Sequence, residues 1–357
     1  MGSPATTATP EQARPNPAGG PLGVGVIGAG RIGSTHARLL AGEVPGAHVA
    51  AVSDTRPEAA RALGDELGVR TLSTNEELLG APDVHAVAIC SSTDSHAALL
   101  LAAAEAGKPV FCEKPVSLDL EEMDRALAAV EDAGVPFQIG FNRRFDPSHA
   151  SVRSAVATGT VGEPHLVRIT SRDPEPPPLS YVLVSGGIFL DMTIHDFDMA
   201  RFVTGSEVTE VFARGALRMQ ESYAQAHDVD TAVVTLTHES GCFTVIDNSR
   251  QAVYGYDQRV EVLGSRGLAA SENPFAHSAL VRTAEGTRTP VPQGFFFERY
   301  RQSYIAQWTA FVEAIAAGEP PPVTTRDARA PLVIGLTARR SLEEGRPVRV
   351  EEVDSLG

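Results

Sequence analysis

Asp191, His195 and Asp198 are spaced by four and then three residues. On a helix beginning near Asp191, that spacing puts all three side chains on one face. The rest of the stretch is apolar (Met192, Ile194, Phe197, Met199, Phe202), so the polar stripe is presented to something. A neutral imidazole can remove a hydroxyl proton near neutral pH, and carboxylates beside it can accept hydrogen bonds from neighbouring hydroxyls. Lys114, in Cys112-Glu113-Lys114-Pro115, can stabilise charge on the oxygen that loses the proton. Singly, each has a plainer reading: Asp191 as a helix cap, His195 as a satisfied buried histidine, Lys114 as a solvated loop residue. A metal is disfavoured, because no thiol or second nearby histidine completes a typical ligand set.

A second constellation lies near the start. Gly28-x-Gly30-x-x-Gly33 follows the apolar run Gly23–Ile27 and opens a helical stretch, and Asp54 stands 21 residues beyond Gly33. Gly28 permits a tight turn, Gly30 lets the backbone approach a pyrophosphate, and Gly33 lets helix pack on strand. The helix start, with Arg31 and Ile32, offers N–H groups and a partial positive charge to phosphates. Asp54 can accept from both ribose hydroxyls of NAD and would repel the extra phosphate of NADP. Arg56 bears on that choice, since it could face the adenine or a 2′-phosphate. NAD is the expected cofactor, NADP the less favoured one.

These residues need elements to position them. Apolar strand-like runs (Gly23–Ile27, His48–Ser53, Val84–Cys90, Pro109–Cys112, Phe137–Phe141) alternate with helical stretches at Ser34–Ala41, Pro57–Leu67, about Ser95–Ala106 and Leu120–Ala133. Alternation of this kind implies crossover connections and a parallel sheet covered on both faces. After about Phe145 a helix through Val152–Ala157 leads into runs of period two: His165–Ser171, Thr231–Thr237, Gly241–Ile246 and Gln258–Leu263. The middle pair reads as a hairpin, and the pattern suits an antiparallel sheet covered on one face. The expected fold is thus an α/β Rossmann dinucleotide-binding domain over residues 22–142, then an α+β substrate-binding and oligomerisation domain, 143–357, on a mainly antiparallel open sheet. Residues 1–21, rich in Ala, Thr, Pro and Gly, read as a disordered leader without the pattern of a secretory signal.

Composition narrows the function classes. The 357 residues carry 30 Lys+Arg against 45 Asp+Glu, a net charge of −15, which disfavours nucleic acid and anionic membrane surfaces as partners. Three scattered cysteines make neither a disulfide framework nor a metal cluster. No apolar run approaches the ~20 residues of a membrane span. A cytoplasmic enzyme acting on a small molecule is the expectation.

The ordered set Gly28-x-Gly-x-x-Gly33, Glu113-Lys114-Pro115 and Gly186-Gly187-x-x-x-Asp191-x-x-x-His195 resembles the glucose–fructose oxidoreductase/inositol dehydrogenase/rhizopine-catabolism (Gfo/Idh/MocA) family. The likeness runs from about Gly23 to Val350, and Gly140–Asp146, Thr170–Asp173 and Asp191–Arg201 look like its inositol dehydrogenase branch. The resemblance implies NAD-dependent oxidation of a cyclitol hydroxyl, myo-inositol foremost, with Lys114 at the reacting hydroxyl, Asp191 and His195 on the polyol, and His195 as proton acceptor. Arg144, Tyr254 and Asp173 are implied as further polyol contacts, beside Asp198. Ser92, Thr93 and His96 resemble the nicotinamide-side loop, or else are a helix cap with a surface histidine. Glu113 and Asn142 are implied on the cofactor side, and a homotetramer paired through open sheet faces is implied as the assembly. Another inositol isomer, an aminocyclitol precursor or a pyranose would keep the same chemistry. A non-catalytic nucleotide-dependent sensor and redox-assisted glycoside cleavage are the readings from other classes.

Overall fold

The structure, a computed structural model, describes residues 20–354, so the leader reading (residues 1–21) lies outside the described residues except at its last two positions. Internal contacts divide the chain into two compact units that interleave along the sequence. One comprises the chain up to Cys112 with Arg125–Gln138 and Thr309–Pro322; the other comprises Glu113–Asp124, Ile139–Trp308 and the chain from Val323 on.

The first unit is built on strands and helices in alternation: β1 (Leu22–Ile27), α1 (Arg31–Gly42), β2 (Ala47–Ser53), α2 (Pro57–Leu67), β3 (Arg70–Thr71), α3 (Asn75–Leu79), β4 (Ala86–Ile89), α4 (Thr93–Glu105), β5 (Val110–Cys112), α5 (Leu120–Ala133) and β6 (Phe137–Ile139). Every residue of β1 and β4 is buried, as strands covered on both faces require. Helix α2 starts on a proline and stops at Gly68 in the left-handed conformation, the two boundary signals a helix uses most economically. The sheet order is β3-β2-β1-β4-β5-β6, with β1 parallel to both β2 and β4. Connections therefore change direction between β1 and β4. The crevice beyond the carboxyl ends of those strands is where such sheets bind nucleotides.

In the second unit, a 3₁₀ turn (Asn142–Phe145) precedes α6 (Pro147–Ala157), which Asp146 caps by accepting from the N–H groups of Ser148 and His149. Then follow β7 (Pro164–Arg172), α7 (Leu179–Ser185), α8 (Gly187–Asp191), α9 (Ile194–Thr204), β8 (Val208–Ala216), β9 (Thr231–His238), β10 (Phe243–Ser249), β11 (Asp257–Gly264) and β12 (Gly267–Ser271). A small hairpin of β13 (Val281–Thr283) and β14 (Gly286–Arg288) precedes α10 (Phe296–Ala317), which passes into the first unit at Thr309, and then α11 (Thr325–Glu344) and β15 (Val348–Arg349). The seven-stranded sheet runs β12-β11-β7-β10-β9-β8-β15. β9 and β10 form the expected antiparallel hairpin, Thr237 opposite Phe243, while β10 lies parallel to β7, so the sheet is mixed. One face packs Val167, Val234, Ile246 and Val260 against Ile188, Phe197 and Val203 of the helices. Each such side chain contributes about 1.5–3 kcal/mol by leaving water, which fixes α8 and α9 on the sheet.

Candidate active site

The glycine turn of the first unit is built as its spacing requires. Gly28 has φ +100°, and a Cβ there would stand 2.7 Å from the backbone of Cys90 and Ser91. A Cβ on Gly33 would lie 1.9 Å from the Gly28 carbonyl oxygen, whereas one on Gly30 would meet no heavy atom within 4 Å. The turn is therefore closed on its inner side and open at Gly30, where the first turn of α1 presents its N–H groups. Asp54, at the end of β2, accepts from the Ala29 N–H through Oδ2 (2.7 Å) and from the Arg56 N–H through Oδ1 (2.8 Å). One carboxylate thus braces the turn while keeping acceptor capacity. An open cradle of N–H groups beside a carboxylate fits a dinucleotide's pyrophosphate and ribose. Arg31 and Ile32 open α1, exposed and half-buried respectively. Arg56 is mostly exposed and its Nε lies 3.5 Å from Asp54.

Ser92 and Thr93 stand at the start of α4, where the Ser92 hydroxyl makes no cap bond. His96 is buried, its Nε2 3.0 Å from the Ser91 carbonyl oxygen, so the alternative of a capping serine with a surface histidine fails on both counts.

The second unit brings Lys114, Asp191 and His195 together. Lys114 Nζ donates to the Asp191 carbonyl oxygen (2.9 Å) and lies 3.9 Å from the Asp191 carboxylate. His195 is half-buried and packs edge-on against Phe141, ring centroids 5.9 Å apart. Its Nδ1 is buried without a partner among the described residues. Burial first, then the positive charges of Lys114 and Arg143, hold the imidazole well below the usual histidine range. It is neutral at pH 7 and unsatisfied, unlike a structural core histidine. Asn142, buried in the 3₁₀ turn, likewise leaves its Nδ2 without a partner among the described residues. A buried polar atom left unbonded costs about 1–3 kcal/mol, so both invite a polar ligand. Glu113 is buried, with Oε2 accepting from the Lys114 N–H (3.3 Å). Asp173 is half-buried, and burial together with the Asp191 charge pushes its carboxyl up to about 6.

The single helix expected from Asp191 onward is broken. Asp191 ends α8, Met192 and Thr193 turn the chain, and His195 is in the first turn of α9. At the break the Thr193 hydroxyl shares its one proton between Ile188 O (3.1 Å) and Asn248 Oδ1 (2.6 Å). Asp198 shares α9 with His195, but its carboxylate is engaged by Arg144. It is 1% exposed and accepts two-pronged bonds from Arg144 (2.6–3.1 Å), which also reaches Asp327 (2.8 Å). Burial pushes the Asp198 carboxyl up against the pull of Arg144. Asp198 and Arg144 are thus paired with each other, and Arg144 with Asp327 as well. Tyr254 is exposed, donating to Asp257 (2.7 Å) and accepting from Arg172 (2.8 Å). Gly186 and Gly187, just before Asp191, have φ of +84° and +79°, in the left-handed region that favours glycine. Sequence reasoning missed Arg250 and Tyr181, which both bond the Asp191 carboxylate, because neither lies in a motif.

A doubly wound nucleotide sheet in one unit, and a lysine, carboxylate and neutral imidazole gathered in the other, define a nucleotide-dependent oxidoreductase acting on a hydroxyl. Residues 22–141 match an oxidoreductase family with an NAD-binding Rossmann fold, and 149–270 match the Gfo/Idh/MocA C-terminal domain. The chain belongs to the Gfo/Idh/MocA oxidoreductase family, with NAD as its cofactor. It is 49% identical over 331 residues to a myo-inositol 2-dehydrogenase of Thermotoga maritima, covering 92% of this chain and 99% of that one. It is 43% identical to an inositol 2-dehydrogenase of Rhizobium meliloti, over 91% and 98%. A crystal structure of a Lactobacillus casei myo-inositol dehydrogenase in complex with NAD(H) and myo-inositol superposes with a TM-score of 0.82 at 26% identity, covering 92% and 96%.

Proposed function

We propose that this protein oxidises one hydroxyl of a cyclitol with NAD, converting myo-inositol to 2-keto-myo-inositol. The carrying observation is the Lys114 ammonium held 2.9 Å from the Asp191 carbonyl, in the unit that also carries an unsatisfied, neutral His195. The full-length relatives named for this reaction supply the substrate. Residues 22–142 are assigned to the nucleotide and 143–357 to substrate and assembly.

NAD, when bound, supplies the hydride acceptor. His195 takes the hydroxyl proton on its imidazole, whose lowered basicity keeps the lone pair free at neutral pH. Lys114 directs an N–H at the same oxygen and stabilises the charge that develops as the proton leaves. Asp191 accepts from a neighbouring hydroxyl, and Asp173 is assigned to a further one. Gly28, Gly30, Gly33 and Asp54 hold the dinucleotide; Ser92, Thr93, His96, Glu113 and Asn142 are assigned to its nicotinamide side.

For the assembly, a homotetramer is proposed, with the outer face of the seven-stranded sheet covered by a second copy. That face exposes Val233, Phe243, Leu263 and Leu268, on four strands whose alternate residues fill the core. Light scattering giving a monomer would remove this part. No helix among the described residues is long and apolar enough to cross a membrane, and all three cysteines are buried. A cytoplasmic role in inositol catabolism is in keeping with both.

The test is formation of reduced nicotinamide with NAD or NADP against myo-, scyllo- and chiro-inositol and glucose. Turnover of myo-inositol with NAD is expected. Turnover of another polyol instead would move the substrate, and silence with NAD still bound would return the protein to a sensing role.

A further inference from the structure

Asp191 is tethered by two residues that the chemistry above does not use. Arg250, 1% exposed, directs Nη1 to Asp191 Oδ2 (3.2 Å) and Nη2 to Asp228 Oδ2 (3.5 Å). A guanidinium this deeply buried is costly unless paired, and these two carboxylates are what it is paired with. Asp228 then closes a ring, since its Oδ1 accepts from the Ile188 N–H (2.9 Å) in the first turn of α8, the helix that Asp191 ends. Gly187 makes room for it: a Cβ there would stand 2.8 Å from Asp228 Oδ1. The other oxygen of Asp191, Oδ1, accepts from the Tyr181 hydroxyl (2.8 Å), with Lys114 Nζ 3.9 Å away. Both oxygens of Asp191 are thus aimed, and the helix beneath the residue is pinned by the same buried pair.

We propose that Arg250 and Asp228 are positioning residues that fix the Asp191 carboxylate for a substrate hydroxyl, Arg250 directly and Asp228 by holding both Arg250 and α8. This rests on Asp191 being the polyol acceptor assigned above. It also gives the Gly186-Gly187 pair a purpose, because any side chain at position 187 would push Asp228 off the helix start.

The test is a double-mutant cycle on kcat/KM at saturating NAD, using the polyol that the native enzyme turns over best. Arg250→Gln is expected to lower kcat/KM about 10–100-fold, the range set by one charge-assisted hydrogen bond, mainly through KM. Arg250→Lys should recover part of the loss, and calorimetric NAD affinity should stay within about twofold of native. Adding Arg250→Gln to Asp191→Asn should cost nothing more, because the positioned group is already gone. Losses that multiply in the double variant, or an Arg250→Gln enzyme within about twofold of native, would overturn the proposal. If Arg250→Gln fails to fold, Asp228→Asn carries the test: a loss that vanishes in the Asp191→Asn background supports it, and one that multiplies overturns it. An unaffected Asp228→Asn enzyme would overturn it as well. A native enzyme silent toward every polyol would instead overturn the reading on which this one rests, and the positioning role with it.

Discussion

Gly33→Ala sets two effects against each other. Helix propensity favours alanine over glycine by about 1 kcal/mol, and position 33 lies in the first turn of α1. The added methyl would stand 1.9 Å from the Gly28 carbonyl oxygen, 2.9 Å from the Gly28 carbonyl carbon and 3.2 Å from Cys90 Cβ. Real Cβ atoms essentially never come closer than 3.0 Å, so the start of α1 must retreat by at least the 1.1 Å between 1.9 and 3.0 Å. The clash is with backbone, which no rotamer can relieve. Overpacking of this kind costs about 1–3 kcal/mol and outweighs the propensity gain. The same retreat carries the N–H groups of the cradle beyond hydrogen-bond reach of a phosphate, at about 10–100-fold in affinity for each one lost. The expected variant melts a few degrees lower and binds NAD at least about tenfold more weakly by calorimetry. Gly30→Ala is the control: its Cβ meets nothing within 4 Å, so melting should be native while NAD binding still falls. A Gly33→Ala enzyme with native melting and native NAD affinity would refute the steric reasoning. A Gly30→Ala enzyme with native NAD affinity would show that the pyrophosphate does not approach there.

Two further outcomes are expected. Asp54→Ala should weaken NAD binding about 10–100-fold and narrow the preference over NADP, because it removes the ribose acceptor and the brace on Ala29; an unchanged preference in paired titrations would deny Asp54 that role. Burial holds the His149 imidazole down to about 3, so the native state refuses a proton that the unfolded chain accepts near pH 6.5. That contribution is intact above about pH 6.5 and is lost as pH falls, by about 2 kcal/mol at pH 5. Denaturant unfolding of His149→Gln should show the acid slope reduced by this amount, and an identical slope would place the sensitivity elsewhere.

Much of this was legible in the residues themselves. The strands of the first unit announced themselves as short Val/Ile/Ala runs, α2 by Pro57 and Gly68, and the β9–β10 hairpin by two alternating runs around a three-residue turn. The glycine turn was legible because each glycine answers a local steric demand. The break between α8 and α9 was not, since neither Met192 nor Thr193 is a helix breaker and the Thr193 hydroxyl there bonds Asn248, 55 residues away. The pairing of Asp198 with Arg144, 54 residues off, was hidden for the same reason. The long helix α11 is bounded by a Thr324–Asp327 capping box and by Gly345, but Pro331 inside it masks the helical pattern. What the sequence hides is set by contacts distant along the chain.

The central claim is that a neutral His195 removes the hydroxyl proton while the dinucleotide is held by the other unit. Turnover of the preferred polyol by His195→Ala, measured beside its NAD affinity, tests it most directly. The account predicts a kcat lower by about 10²–10⁴-fold with NAD affinity nearly unchanged. Native turnover in that variant would contradict it.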